Sequence, residues 1–141
     1  MRIVPVPTDE IDRHWAVVRP LLHRATEAGQ GRYSVEDARE MLVQARWQLW
    51  LIQEGEIIEA AMVLSLEVFP RKRVLVIQFL GGENMDQWVD AVSDFMDRQT
   101  KLHHADSAEL LGRPGWGKVV ERHGWRRVFV HYVKDAVGEA A

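Results

Sequence analysis

A chain of 141 residues with 47% hydrophobic and 28% charged residues fits one soluble globular domain and excludes a disordered or fibrous protein. Its 18 basic and 21 acidic residues give a formal net charge of −3, so no domain-wide basic excess points to nucleic acid. The absence of cysteine excludes disulfides, thiolate metal sites and cysteine nucleophiles together, and Met1 to Pro7 hold no apolar run long enough for a signal peptide or a membrane span, so a cytoplasmic protein with no membrane partner is expected.

In chain order, Arg2 to Val6 reads as an edge strand ended by Pro7. Thr8 and Asp9 are placed to cap a helix whose core face is Ile11, Trp15, Val18 and Leu22. Pro20 lacks an amide proton, which predicts a kink or restart near Arg19. Gly29-Gln30-Gly31 is a loop. Ser34 opens a second helix, with Asp37 completing a capping box and Val35, Ala38, Leu42 and Ala45 as its apolar stripe.

From Trp47 the period changes to that of strands. Gln48 to Gln53 and Glu56 to Phe69 are predicted strands joined at Glu54-Gly55. Pro70 to Lys72 turns the chain, and the apolar run Arg73 to Leu80 predicts a central strand covered on both faces and broken by Gly81-Gly82. A third helix follows from about Asn84 to His103, with Met85, Trp88, Val89, Val92, Phe95 and Met96 on one face. Ala108 to Leu111 is a short strand and Trp116 to His123 a short helix stopped by a left-handed Gly124. Arg126 to Lys134 is a predicted final strand, and Asp135 to Ala141 a frayed tail.

Several constellations lead only to structural roles. The basic run Arg71-Lys72-Arg73 reads as a solvated turn. His103-His104-Ala105-Asp106 gathers potential metal ligands, but adjacent helical side chains point about 100° apart and cannot easily share an ion; no metal is expected. Trp15, Trp88 and Trp116 read as core or loop anchors. Trp47 and Trp50 should lie on different faces, with one of them a candidate for exposure. Ser65, Ser93 and Ser107 lack the glycine-flanked turn of a nucleophile elbow.

The order of elements resembles the GNAT (Gcn5-related N-acetyltransferase) superfamily over the whole of residues 1–141. The segment Gly112-Arg113-Pro114-Gly115-Trp116 through Lys134, together with Leu49-Trp50 and Gly81-Gly82 before Trp88, carries the likeness. The pattern is similar to the short GNAT-like proteins of phages and prophages. The resemblance implies one α+β domain, with a mixed, mostly antiparallel central sheet flanked by about four helices. It also implies acetyl-CoA as cofactor and an amine as acceptor. The cofactor would lie between the fourth and fifth strands, its thioester oriented by backbone near Phe79 and Leu80. Its pyrophosphate would rest where the third helix opens, on Gly81, Gly82, Asn84 and Met85.

Three positions depart from the family pattern. Gly81-Gly82-Glu83-Asn84-Met85-Asp86-Gln87 stands where Gln/Arg-x-x-Gly-x-Gly/Ala is usual. Val120 stands four residues before Gly124, where a tyrosine acid is common, and Arg113 takes the place of a common asparagine. The fourth strand offers Gln78 in place of a glutamate base. Tyr132, His131 and Glu67 are therefore the candidate proton-handling residues, with His123 a further substitute acid. Two readings stay open. One is an acyl-CoA-dependent N-acyltransferase acting by direct attack of an amine. The other is a catalytically inactive GNAT-like binding or assembly protein, accessory to phage particles, with a closed cleft and an apolar surface buried in a homodimer.

Overall fold

The structure is a computed structural model that describes residues 1–112 and 114–138. Arg113 and the last three residues of the expected tail lie outside the described residues. Strand β1 is Arg2–Val6, helix α1 Ile11–Glu27, helix α2 Val35–Val43, and strands β2, β3 and β4 are Gln48–Glu54, Ile57–Phe69 and Lys72–Gly82. Helix α3 is Met85–Leu102, strand β5 Ser107–Leu110 and helix α4 Gly117–Val120. Among the described residues a five-stranded sheet runs in the order β1-β2-β3-β4-β5, antiparallel except for the parallel β4–β5 pair. The parallel step follows from the α3 crossover, which carries the chain over the sheet before β5.

The sheet is covered on both faces. On one, Val18 and Leu22 of α1 and Leu42 of α2 pack on Leu49, Leu51, Ala61, Val63 and Phe79. On the other, Trp88, Val92, Phe95 and Met96 of α3 pack on Met62, Leu64, Leu75 and Ile77. A fully buried side chain of this kind stabilises by roughly 1.5–3 kcal/mol through transfer from water alone. Trp47 and Trp50 do face opposite sides of the sheet, but each packs on its core cluster and neither is the exposed one expected.

Several local expectations meet a different outcome. A 3-10 turn over Thr8–Glu10 precedes α1, and neither Thr8 nor Asp9 makes a capping bond to it. α1 runs unbroken through Pro20 and does not restart at Arg19, because Val18 and Leu22 are both fully buried on either side of the proline. The Ser34–Asp37 capping box is present, with the Asp37 amide donating to Ser34 Oγ at 3.1 Å and the Ser34 amide to Asp37 Oδ2 at 2.9 Å. α2 ends at Val43, so Ala45 leaves the apolar stripe and takes a left-handed φ of 59°.

Gly81 and Gly82 do not break β4; they are its last two residues. Here the glycines permit close approach. A Cβ on Gly81 would overlap the carbonyl oxygen of Leu21 in α1, and one on Gly82 would overlap Glu59 and Ala60 of β3. The expected final strand is absent: Arg126 to Lys134 forms no strand, and Phe129 is 72% exposed. Its alternating residues have the capacity to pair, but a strand exists only against a partner, and this segment lies along none among the described residues. Gly124 does take the left-handed conformation expected of it, with φ 89°.

Candidate active site

The site is built by an irregularity in β4. Leu64 pairs with Ile77, but Val63 pairs with Phe79, so β4 carries one extra residue, Gln78, opposite β3. Such a bulge bends its strand and disrupts the ladder locally. The pairing of β4 with β5 ends at the same place, at Ile77 with Leu110. β4 then continues through Gln78–Gly82 with its outer edge unpaired among the described residues, and α3 opens three residues later. The result is a notch between two parting parallel strands, with a helix start at its mouth.

The connection from β4 to α3 is tied to β3. The Glu83 amide donates to the Glu59 carbonyl at 3.0 Å, and Asn84 Nδ2 to Glu59 Oε2 at 3.0 Å. Asn84 is left-handed, with φ 57°, and turns the chain into α3. Trp88 Nε1 donates to the Glu83 carbonyl at 2.7 Å and anchors the first turn from below. Glu83 and Asp86 are exposed beside this helix start.

Residues 116–125 form the outer wall of the notch. Trp116 and Trp125 face Ile77, Leu80, Val92 and Leu110 across an apolar crevice of about 20 Å³, room for little more than one water molecule. The wall is pinned to α3 at two points: Trp125 Nε1 donates to Ser93 Oγ at 3.3 Å, and His123 Nε2 lies 2.9 Å from Asp90 Oδ1. A larger hollow of about 270 Å³ lies at the far edge of the sheet between Val6, Ile11, Leu42 and Trp47, and no ionisable residue lines it.

The expected site residues separate into groups. Phe79, Leu80, Gly81 and Gly82 do lie on the free stretch of β4, and Asn84 and Met85 do open α3. Phe79 is buried toward α1, in edge-to-face contact with Trp47 at 5.7 Å and Tyr33 at 6.1 Å, while Leu80 lines the crevice on the α3 side. Glu67 accepts a hydrogen bond from Ser65 Oγ at 3.0 Å, and Ser65 Oγ accepts one from Gln78 Nε2 at 2.9 Å. His131 Nε2 lies 3.3 Å from a guanidinium nitrogen of Arg32, across the loop after α1. Tyr132 is 88% exposed. Val120 lines the crevice at the place where a tyrosine is common in the family, and His123 lines it too. Among the described residues no group of three or more histidine or acidic side chains is placed to hold a metal.

Sequence reasoning missed the link from Glu67 to the bulge. Ser65 and Glu67 alternate onto one face of β3, a signal present in the sequence, but their connection to Gln78 depends on a bulge that no residue pattern announces.

The fold as a whole is shared with solved structures. One described as a probable acetyltransferase matches with a TM-score of 0.72 at 19% identity, over 99% of this chain and 100% of that one. The chain has the fold of the GCN5-related N-acetyltransferases. The protein of that name from Ralstonia eutropha JMP134 matches with a TM-score of 0.67 at 15% identity, over 97% of this chain and 99% of that one. A predicted acetyltransferase from Clostridium acetobutylicum, solved with acetyl-CoA, matches with a TM-score of 0.64 at 12% identity over 95% of each chain. No family model matches the chain, and no curated protein matches it. Within the GNAT fold, β4, the short β5 and the start of α3 occupy the positions expected from the order of elements. No helix among the described residues is long and apolar enough to cross a membrane.

Proposed function

We propose that the protein is an acyl-CoA-dependent N-acyltransferase that transfers an acetyl group to an amine by direct attack. The observation that carries this reading is the unpaired edge of β4 from Gln78 to Gly82, leading straight to the start of α3. An unpaired strand edge offers backbone donors and acceptors to an extended chain such as pantetheine. A helix start offers partial positive charge to phosphates. These backbone features fit acetyl-CoA. The crevice fits only after the wall carrying Trp116 and Trp125 moves outward, because a space of about 20 Å³ cannot hold the pantetheine arm.

When bound, acetyl-CoA supplies the activated acyl group. Backbone near Phe79 and Leu80 would orient the thioester carbonyl. In the reaction the amine nitrogen forms a bond to the carbonyl carbon, the C–S bond breaks, one proton leaves nitrogen and one reaches sulfur. Glu67 and His131 are the groups we assign to the first proton transfer and Tyr132 to the second. Held geometry supplies much of the rate for such a reaction, which needs no covalent help from the protein.

The alternative is a non-catalytic binding protein of the same fold. The narrow crevice and the exposure of Tyr132 favour it. Calorimetric titration with acetyl-CoA separates the two. A Kd on the order of 10 µM, about −7 kcal/mol, that is lost with a cofactor fragment lacking the pyrophosphate supports the enzyme. No heat at millimolar cofactor refutes it.

A further inference from the structure

The hydrogen-bonded chain from Glu67 to Gln78 has a fixed direction. A carboxylate only accepts hydrogen bonds, so the Ser65 hydroxyl spends its single proton on Glu67 Oε1 at 3.0 Å. Ser65 Oγ must then accept from Gln78, which presents Nε2 to it at 2.9 Å. The Gln78 amide oxygen is thereby turned away from Ser65, and no donor among the described residues reaches it. Ser65 is buried at 5% exposure, so this polar chain stands where a valine would pack at lower cost. A satisfied polar chain of this kind holds one arrangement firmly.

Its position gives it a use. Gln78 is the bulge residue, one past the last β4 residue paired with β5. Ser65 and Glu67 alternate onto the sheet face of Val63, toward α1 and α2, whereas the crevice opens on the opposite face at Ile77 and Leu80. A thioester entering from the α3 side would meet its acceptor from the Gln78 side.

We infer that Gln78 orients the acceptor, a neutral primary amine, by accepting one of its N–H groups on Oε1, and that Ser65, whose proton is held by Glu67, is a positioning residue that locks the amide in that orientation. The inference rests on the acyltransferase reading. It also accounts for a glutamine in a strand with no carboxylate: an amide oxygen fixed by its neighbours accepts without a proton of its own to offer.

The test compares wild type with Gln78→Met and Ser65→Ala, using acetyl-CoA with an alanyl peptide, spermidine and tyramine as acceptors and release of the CoA thiol as readout. Gln78→Met should keep calorimetric affinity for acetyl-CoA within about two-fold and lower kcat/KM for the amine roughly 100-fold, since a displaced reactant costs on that order. Ser65→Ala should give the same split at about ten-fold, and Ser65→Thr should restore the rate. Should Gln78→Met fail to fold, Ser65→Ala decides. Variants that transfer at the wild-type rate overturn the inference and leave the acyltransferase reading intact. A wild type that neither binds acetyl-CoA nor acetylates any of the three amines overturns both.

Discussion

Replacing Gly81 with alanine separates packing from cofactor binding at a position where both have been assigned. An alanine Cβ there would overlap the Leu21 carbonyl oxygen, deep inside the 3.0 Å that Cβ contacts essentially never cross, and would also meet Leu21 C at 3.1 Å. The obstacle is helix backbone, so no rotamer change relieves it. α1 would have to retreat from β4 by roughly 1.5 Å to restore ordinary van der Waals separation. That retreat loosens Val18 and Leu22, both fully buried. Overpacking of this kind costs about 3 kcal/mol, which lowers Tm by roughly 6–12 °C in a domain of this size. Thermal unfolding of the protein without cofactor measures it. Gly115→Ala is the control, because nothing lies within 4 Å of its added Cβ, and it should shift stability by less than about 0.5 kcal/mol. A Gly81→Ala protein as stable as the control would refute the packing argument.

Three further outcomes are expected. Ser34→Ala removes the acceptor for the Asp37 amide and should cost about 1 kcal/mol by urea denaturation; an unchanged midpoint would show that the box contributes nothing. The Glu36 carboxyl is held below its ordinary value of 4.5, first by its hydrogen bond from Arg19. A depressed carboxylate stabilises the fold above its unfolded pKa and loses that contribution as pH falls through the folded one. The stability gap between wild type and Arg19→Ala should therefore close as pH drops from neutrality through the acid range, and a gap independent of pH would contradict it. The group is fully exposed, so added salt should narrow the gap as well. Finally, residues 126–138 lie in no helix or strand, so their amides should exchange at nearly the unfolded rate while those of β3 and β4 stay protected. Protection of Val128 to Val133 in a concentration-dependent manner would instead reveal pairing between copies.

The parts of this protein legible in its sequence are those decided within a few residues of chain. The Ser34–Asp37 capping box, the apolar stripe of α3 and the left-handed Gly124 each follow from neighbours close in sequence, and each is where it was expected. The misreadings share a cause. Gly81-Gly82 looked like a strand break because glycine pairs punctuate chains, yet these two serve the approach of α1 and β3 from 60 and 23 residues away respectively. Arg126 to Lys134 has the alternation of a strand, but alternation supplies only a capacity to pair.

The candidate site divides along the same line. Its residue types were visible: Glu67, the free run from Phe79 to Gly82, and the start of α3 at Asn84 and Met85. Their arrangement was not, because the extra residue at Gln78 is defined only by its register against β3, and the parting from β5 only by where that pairing stops. By itself the sequence determined the order of elements from β1 to α4 and the faces that the long helices and central strands bury, since hydrophobic period and capping act locally, and that order carried the resemblance that implied an α+β domain. Only the tertiary structure decided that β4 bulges at Gln78, that Ser65 joins it to Glu67, and that Trp116 and Trp125 narrow the notch. Hydrogen-bond register and close packing are relations between distant segments, and no local pattern encodes them.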